Sequence, residues 1–80
     1  MDPLPLSEII TGHGDSARSL ADKLAAAGHV VTAREAQRWA AADSTMKAAD
    51  IAAVVRLYGL DSFSARRFLE WAASVKVASL

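Results

Sequence analysis

The 80-residue chain contains no cysteine, which excludes disulfide stapling and, with it, thiolate chemistry and any cysteine-ligated metal. Charge of either sign is not in excess, since nine Lys plus Arg balance nine Asp plus Glu. A nucleic-acid binder usually carries a basic surplus, so this balance counts against that class unless the charges are segregated. Long hydrophobic runs are missing as well. The longest uncharged stretch, Leu24 to Ala33, has ten residues and holds Gly28 and His29, too short to span a bilayer. Met1-Asp2-Pro3 lacks the basic and apolar segments of a signal peptide, and the expectation is a cytoplasmic protein without a membrane partner.

Alanine is what the chain has in quantity. Eighteen residues are Ala, a strong helix former that buries little area. The hydrophobic fraction of 52% therefore overstates the core. That core must rest on a few larger side chains: Leu20, Leu24, Val31, Trp39, Ile51, Val54, Val55, Leu57, Tyr58, Phe68 and Trp71. A chain this short buries only about 60 to 65% of its unfolded surface, which allows one domain over residues 1–80 and no second core. Such small cores are often supplemented by a partner subunit.

Residues 1–6 hold both prolines and read as a loose lead-in, after which Ser7 is placed to cap a short helix through Ile10. Gly12 and Gly14 end it. Asp15 or Ser16 then caps a second helix, in which Ala17, Leu20, Ala21, Leu24 and Ala27 recur at spacings of three and four. Gly28 suits the position just past its end. Thr32 and Glu35 form the S/T-x-x-E capping box that opens a third helix, running to about Ala42. Asp43-Ser44-Thr45 reads as turn and cap of a fourth helix, whose inner face is Met46, Ala49, Ala53, Val54 and Leu57 and whose end is Gly59. Asp61 or Ser62 starts a fifth, with Phe68, Trp71, Ala72 and Val75 on one stripe. The predicted class is all-α, a compact bundle of four to five short helices.

Helices two and three with their connection read "SLADKLAAAGHVVTAREAQRW", Ser19 to Trp39. An apolar helix stops at a glycine, a hydrophobic residue seats the turn, and a capped helix follows that buries Ala36 and Trp39 while turning Ala33, Arg34, Gln37 and Arg38 outward. That is the plan of a helix-turn-helix unit, whose second helix enters the major groove of DNA. The connection Gly28-His29-Val30-Val31 is about one residue longer than usual.

Over roughly Ser16 to Leu60 the chain resembles the phage repressor and Cro-like helix-turn-helix family. Val31, Thr32, Ala36 and Trp39 occupy the places of its recognition segment, and "MKAADIAAVVRLYGL" is similar to the helix that packs behind the unit. The resemblance implies a double-stranded DNA operator as partner, a homodimer, and no cofactor. It also implies that Thr32, Ala33, Arg34, Gln37, Arg38 and Ala41 face the DNA. Arg34 or Arg38 would donate two hydrogen bonds to guanine O6 and N7, and Gln37 would pair with adenine. Thr32 would cap the helix and touch phosphate, and Lys47 and Lys23 would neutralise phosphates.

Chemistry of other kinds finds little support in the residues. His13 and His29 have no third ligand at a supporting spacing, so they read as turn histidines and no metal is expected. Asp15 with Asp22, and Asp43 with Asp50, sit at capping or exposed positions rather than in an enclosed acid-base site. Ser16, Ser44, Ser62 and Ser64 read as caps, because no histidine and acid accompany them as a triad. An enzyme is not expected. Two function classes remain: a sequence-specific DNA-binding transcriptional regulator, and a phage-encoded helical inhibitor of a host defence protein, in the manner of anti-CRISPR proteins. The stripe Phe68, Trp71 and Val75 would serve either as intramolecular core or, in both function classes, as a dimer or partner interface. A positive face around Arg34, Arg38 and Lys47 favours the first, and an acidic patch from Asp15, Asp22, Asp43 and Asp50 favours the second.

Overall fold

A computed structural model describes residues 2–75. Five helices follow one another: α1 (Leu6–Gly12), α2 (Ala17–Ala26), α3 (Ala33–Ala40), α4 (Ala48–Tyr58) and α5 (Ser62–Ser74), with no strand among the described residues. The all-α class is therefore the observed one. Helices α2 and α3 form the most extensive pair, α1 lies across both, α4 packs on α2, and α5 packs on α4. The radius of gyration is 11.6 Å, within the roughly 11 to 12 Å of a compact chain of this length. Among the described residues, no helix is long and apolar enough to cross a membrane.

Each start and stop has a local cause. Ser16 caps α2 by accepting the Ser19 N–H at 3.2 Å, and the Ser19 hydroxyl oxygen accepts the Ser16 N–H at 2.8 Å. Thr32 Oγ1 accepts the Glu35 N–H at 3.1 Å to open α3, and Asp61 Oδ1 accepts the Ser64 N–H at 2.7 Å to open α5. Two expected caps are displaced. Pro5, not Ser7, precedes α1 with φ at −65°. Its ring fixes that angle, and its carbonyl starts the first turn. Helix α4 starts after Lys47, whose N–H donates to Asp50 Oδ2 at 3.0 Å, so Asp43-Ser44-Thr45 is a turn that caps nothing.

The helix ends share one geometry. After α1, α2 and α3 a residue with positive φ reverses the chain, and the following N–H reaches back to a carbonyl five residues earlier. Asp15 donates to Ile10, His29 to Leu24 and Asp43 to Arg38, each at 2.8 Å. Gly14 and Gly28 hold the left-handed position of the first two, and Ala42 (φ 61°) holds that of the third. Gly59 ends α4 the same way, with the Leu60 N–H on the Val55 carbonyl at 3.1 Å.

The core joins all five helices. Leu6, Ile9 and Ile10 of α1 meet Leu20 and Leu24 of α2, Ala36 and Trp39 of α3, Val54 of α4 and Phe68 of α5. Trp39 is 1% exposed. A fully buried Trp removes roughly 200 Å² from water, about 5 kcal/mol at ~25 cal/mol/Å². The apolar triplet of α1, at the i, i+3, i+4 spacing of a buried helix face, is a larger share of the core than its short segment announces. Conversely, Val31, Ile51, Val55, Leu57, Tyr58 and Trp71 are only partly buried around the cluster. Met46 lies outside α4, and Ala49 is exposed on the side of α4 turned away from the core.

The amino-terminal lead-in is not loose over its described residues. The Leu4 N–H donates to the Arg67 carbonyl at 3.1 Å, Arg67 Nε donates to the Asp2 carbonyl at 2.7 Å, and Leu6 is fully buried. This ties the start of the chain to α5.

Candidate nucleic-acid interface

Helix α3 has eight residues. At a rise of roughly 1.5 Å per residue it is about 12 Å long. Its apolar groups Ala36 and Trp39 are buried, with Ala33 and Ala40 at the edge of the core. At about 100° per residue, Gln37, Ala41, Arg34 and Arg38 then fall within one outward arc of roughly 100°. All four are exposed, as is Thr32 at the helix start. Glu35 lies about 60° beyond Arg38 on the same geometry, at the margin of the arc. Its carboxylate does not return to the Thr32 N–H, so only the threonine half of the expected capping box forms.

The structure thus gathers Arg34, Gln37, Arg38 and Ala41 on one face, with Thr32 at its N-terminal end, and separates two expected members from it. Ala33 turns to the core edge, because it lies one turn from Ala36 and two from Ala40 on the inner side. Lys47 stands exposed on another element, at the start of α4. Among the described residues the ion pairs are Lys23 with Asp15 and His29 with Asp50. Arg34, Arg38 and Lys47 are in neither. Lys23 is removed from the set of phosphate-neutralising candidates, since its Nζ donates to Asp15 Oδ2 at 2.8 Å.

Two polar clusters tie α2 and the α2–α3 connection to α4, and their partners on α4 are not legible from local spacing. Asp15 accepts three side-chain bonds: Lys23 Nζ at 2.8 Å and Tyr58 Oη at 2.9 Å on Oδ2, and Ser19 Oγ at 3.1 Å on Oδ1. These bonds, Lys23 first and Tyr58 next, hold the Asp15 carboxyl below its ordinary range. Burial, reinforced by the bond to Asp15, pushes the Tyr58 phenol up. His13 stacks on the Tyr58 ring at a centroid distance of 4.3 Å and bonds the Ile9 carbonyl through Nδ1 at 2.9 Å. It is a packing residue that closes α1 against α4.

The second cluster joins the α2–α3 connection to α4. His29 Nε2 lies 2.7 Å from Asp50 Oδ1. An ionised carboxylate only accepts, so Nε2 carries the proton and donates. Asp50 is 8% exposed and also accepts the Lys47 N–H. Asp50 thus caps α4 as its position suggests but is buried rather than exposed, and His29 is a turn histidine with a charge partner on another helix. The partners lie 21 residues apart, and Asp15 and Tyr58 lie 43 apart. No group of three or more potential metal ligands occurs among the described residues.

The stripe on α5 divides. Phe68 is fully buried and so cannot be part of a dimer or partner interface, because it packs into the core rather than facing solvent. Trp71 stacks on it at 6.0 Å and keeps part of its surface exposed, as does Val75. The large exposed apolar side chains of this helix are Phe63 at 61% and Leu69 at 54%, on the other side of the stripe.

No protein-family model, curated protein or solved structure matches the chain. Its fold and surface chemistry are the ground for a functional reading.

Proposed function

We propose that the chain is a sequence-specific DNA-binding regulator in which α2 and α3 act as a helix-turn-helix unit and α3 lies in the major groove. One observation carries this reading: the outward arc of α3 presents Arg34, Gln37 and Arg38 exposed and outside any ion pair among the described residues, while Trp39 anchors the opposite side of the same helix. An α-helix with its side chains is about 10 to 12 Å across, which a major groove about 12 Å wide admits. Arginine suits guanine O6 and N7, and glutamine suits adenine N6 and N7, each pair contributing about 1 to 3 kcal/mol of discrimination. Thr32 and Lys47 serve as phosphate contacts that set register. Two copies on half-sites one helical turn apart, about 34 to 36 Å, would make the binding unit.

The neutral total charge is compatible with this, since acids are withdrawn from the surface unevenly. Asp15 is engaged by Lys23 and Tyr58, and Asp50 is buried against His29. That withdrawal also weakens the alternative of a helical inhibitor of a host defence protein, which needs Asp15, Asp22, Asp43 and Asp50 as an acidic patch. Two of those four remain unengaged, Asp22 and Asp43.

The test is selection from a random duplex library followed by fluorescence anisotropy on the enriched site at two salt concentrations. An enriched motif bound with an affinity that falls steeply as salt rises supports the reading, and Arg38→Ala should weaken it at least about tenfold. Absence of enrichment together with no binding at low salt would sink it.

A further inference from the structure

A cleft of about 570 Å³ opens between the C-terminal end of α2 and the outer side of α4. Its size falls within the roughly 300 to 1,000 Å³ of small-molecule sites. Leu24, Ala52, Ala53 and Leu57 give it aliphatic walls, and the imidazole of His29 is the one ring in its lining. His29 and Arg56 supply its polar side chains. His29 Nε2 is committed to Asp50, whereas Arg56 is exposed and in no ion pair among the described residues. No carboxylate lines the cleft, so its fixed charge is the guanidinium of Arg56.

A cation would meet that guanidinium with like charge, and a neutral alcohol would leave it unpaired. A carboxylate satisfies it with two parallel charge-assisted hydrogen bonds. We propose that the cleft binds a small aliphatic carboxylate, its chain against Leu24, Ala52, Ala53 and Leu57 and its head group on Arg56. The site is independent of the DNA reading. None of its lining residues belongs to α3, and its occupancy is read without DNA.

The experiment is a titration of octanoate into ¹⁵N-labelled full-length protein, followed by amide chemical shifts and kept below the micelle concentration. Octylamine and octanol are titrated in parallel. Saturable shifts concentrated at Ala27, Gly28, Ala52 and Ala53 are expected with octanoate. Binding of the amine and the alcohol should be weaker by about two- to fivefold, the effect of losing an ion pair at an exposed guanidinium. Arg56→Gln, at an exposed helix position, should weaken octanoate by a similar factor while amide dispersion stays native. Ala52→Leu should abolish binding by filling the cleft. The proposal is overturned if octanoate gives no saturable shift, if its shifts scatter outside the cleft, if octylamine or octanol matches it, or if Arg56→Gln titrates like the wild type.

Discussion

Trp39 and Arg38 are neighbours in sequence with opposite duties. The indole of Trp39 is sealed in the hydrophobic core, so Trp39→Ala should leave a cavity costing about 3 to 5 kcal/mol. Against the ~5 to 15 kcal/mol total of a typical domain, urea denaturation should find the variant close to unfolding. Arg38 touches solvent, and its replacement by Ala should leave the urea midpoint within error while DNA affinity falls. An Arg38→Ala variant with wild-type affinity would mean that the outward arc only solvates the helix. Both assignments follow from the 3.6-residue period applied to nine letters, which is why "VTAREAQRW" is readable one residue at a time. Ala33 escapes that reading because it sits at the boundary of the inner arc, where the angle of the neighbouring helix decides which side is covered.

Among the elements, helix ends are the strongest local determinants. Gly14, Gly28 and Gly59 adopt positive φ without a Cβ penalty, and Ala42 adopts it with one. A left-handed Ala costs roughly 1 to 2 kcal/mol relative to its right-handed form, part of which glycine recovers. Ala42→Gly should therefore stabilise the protein by about 0.5 to 1 kcal/mol and raise Tm by a few degrees in a thermal melt. A fall in Tm would contradict the left-handed assignment. Glycine signals mark three of these four stops in the sequence. The fourth, near Ala42, follows from the apolar period alone. The start of α4 is harder to read for a related reason: Asp43, Ser44 and Thr45 are all good caps, and only the pairing of Asp50 with Lys47 and His29 selects a later start.

At the scale of the whole molecule, the contact between Asp15 and Tyr58 should make stability depend on pH. Asp15 and the cap Asp61 both titrate below their ordinary range, Asp15 through Lys23 and Tyr58 and Asp61 through the Ser64 N–H. A lowered carboxyl pKa adds stability that is present above the unfolded value and lost as pH falls through the folded one. Tm should therefore hold near neutrality and drop below about pH 4, the unfolded carboxylate value. Asp15→Asn should flatten that acid arm in a pH series of melts. Tyr58 titrates higher in the fold, so its contribution is present below the unfolded value of about 10 and is lost as pH rises beyond it. Tyr58→Phe should remove this alkaline arm, and an unchanged pH profile in both variants would show the cluster to be energetically silent.

Helix content, the number of helices, most of their ends and the two sides of α3 are set by short-range information: periodicity, caps and glycines act within a turn or two of the chain. What required the folded molecule were the contacts between residues far apart in sequence. Packing made α1 a full part of the core and buried Phe68, taking it out of any interface. It also joined Asp15 to Tyr58 and His29 to Asp50, and opened a cleft beside Arg56 where two alanine-rich helices diverge. A side chain's neighbours along the chain fix its backbone angles, but its charge partner and exposure depend on which helix is laid against it. For that reason "VTAREAQRW" can be read as a capped amphipathic helix at once, while the absence of its arginines from the ion pairs among the described residues depends on the tertiary arrangement.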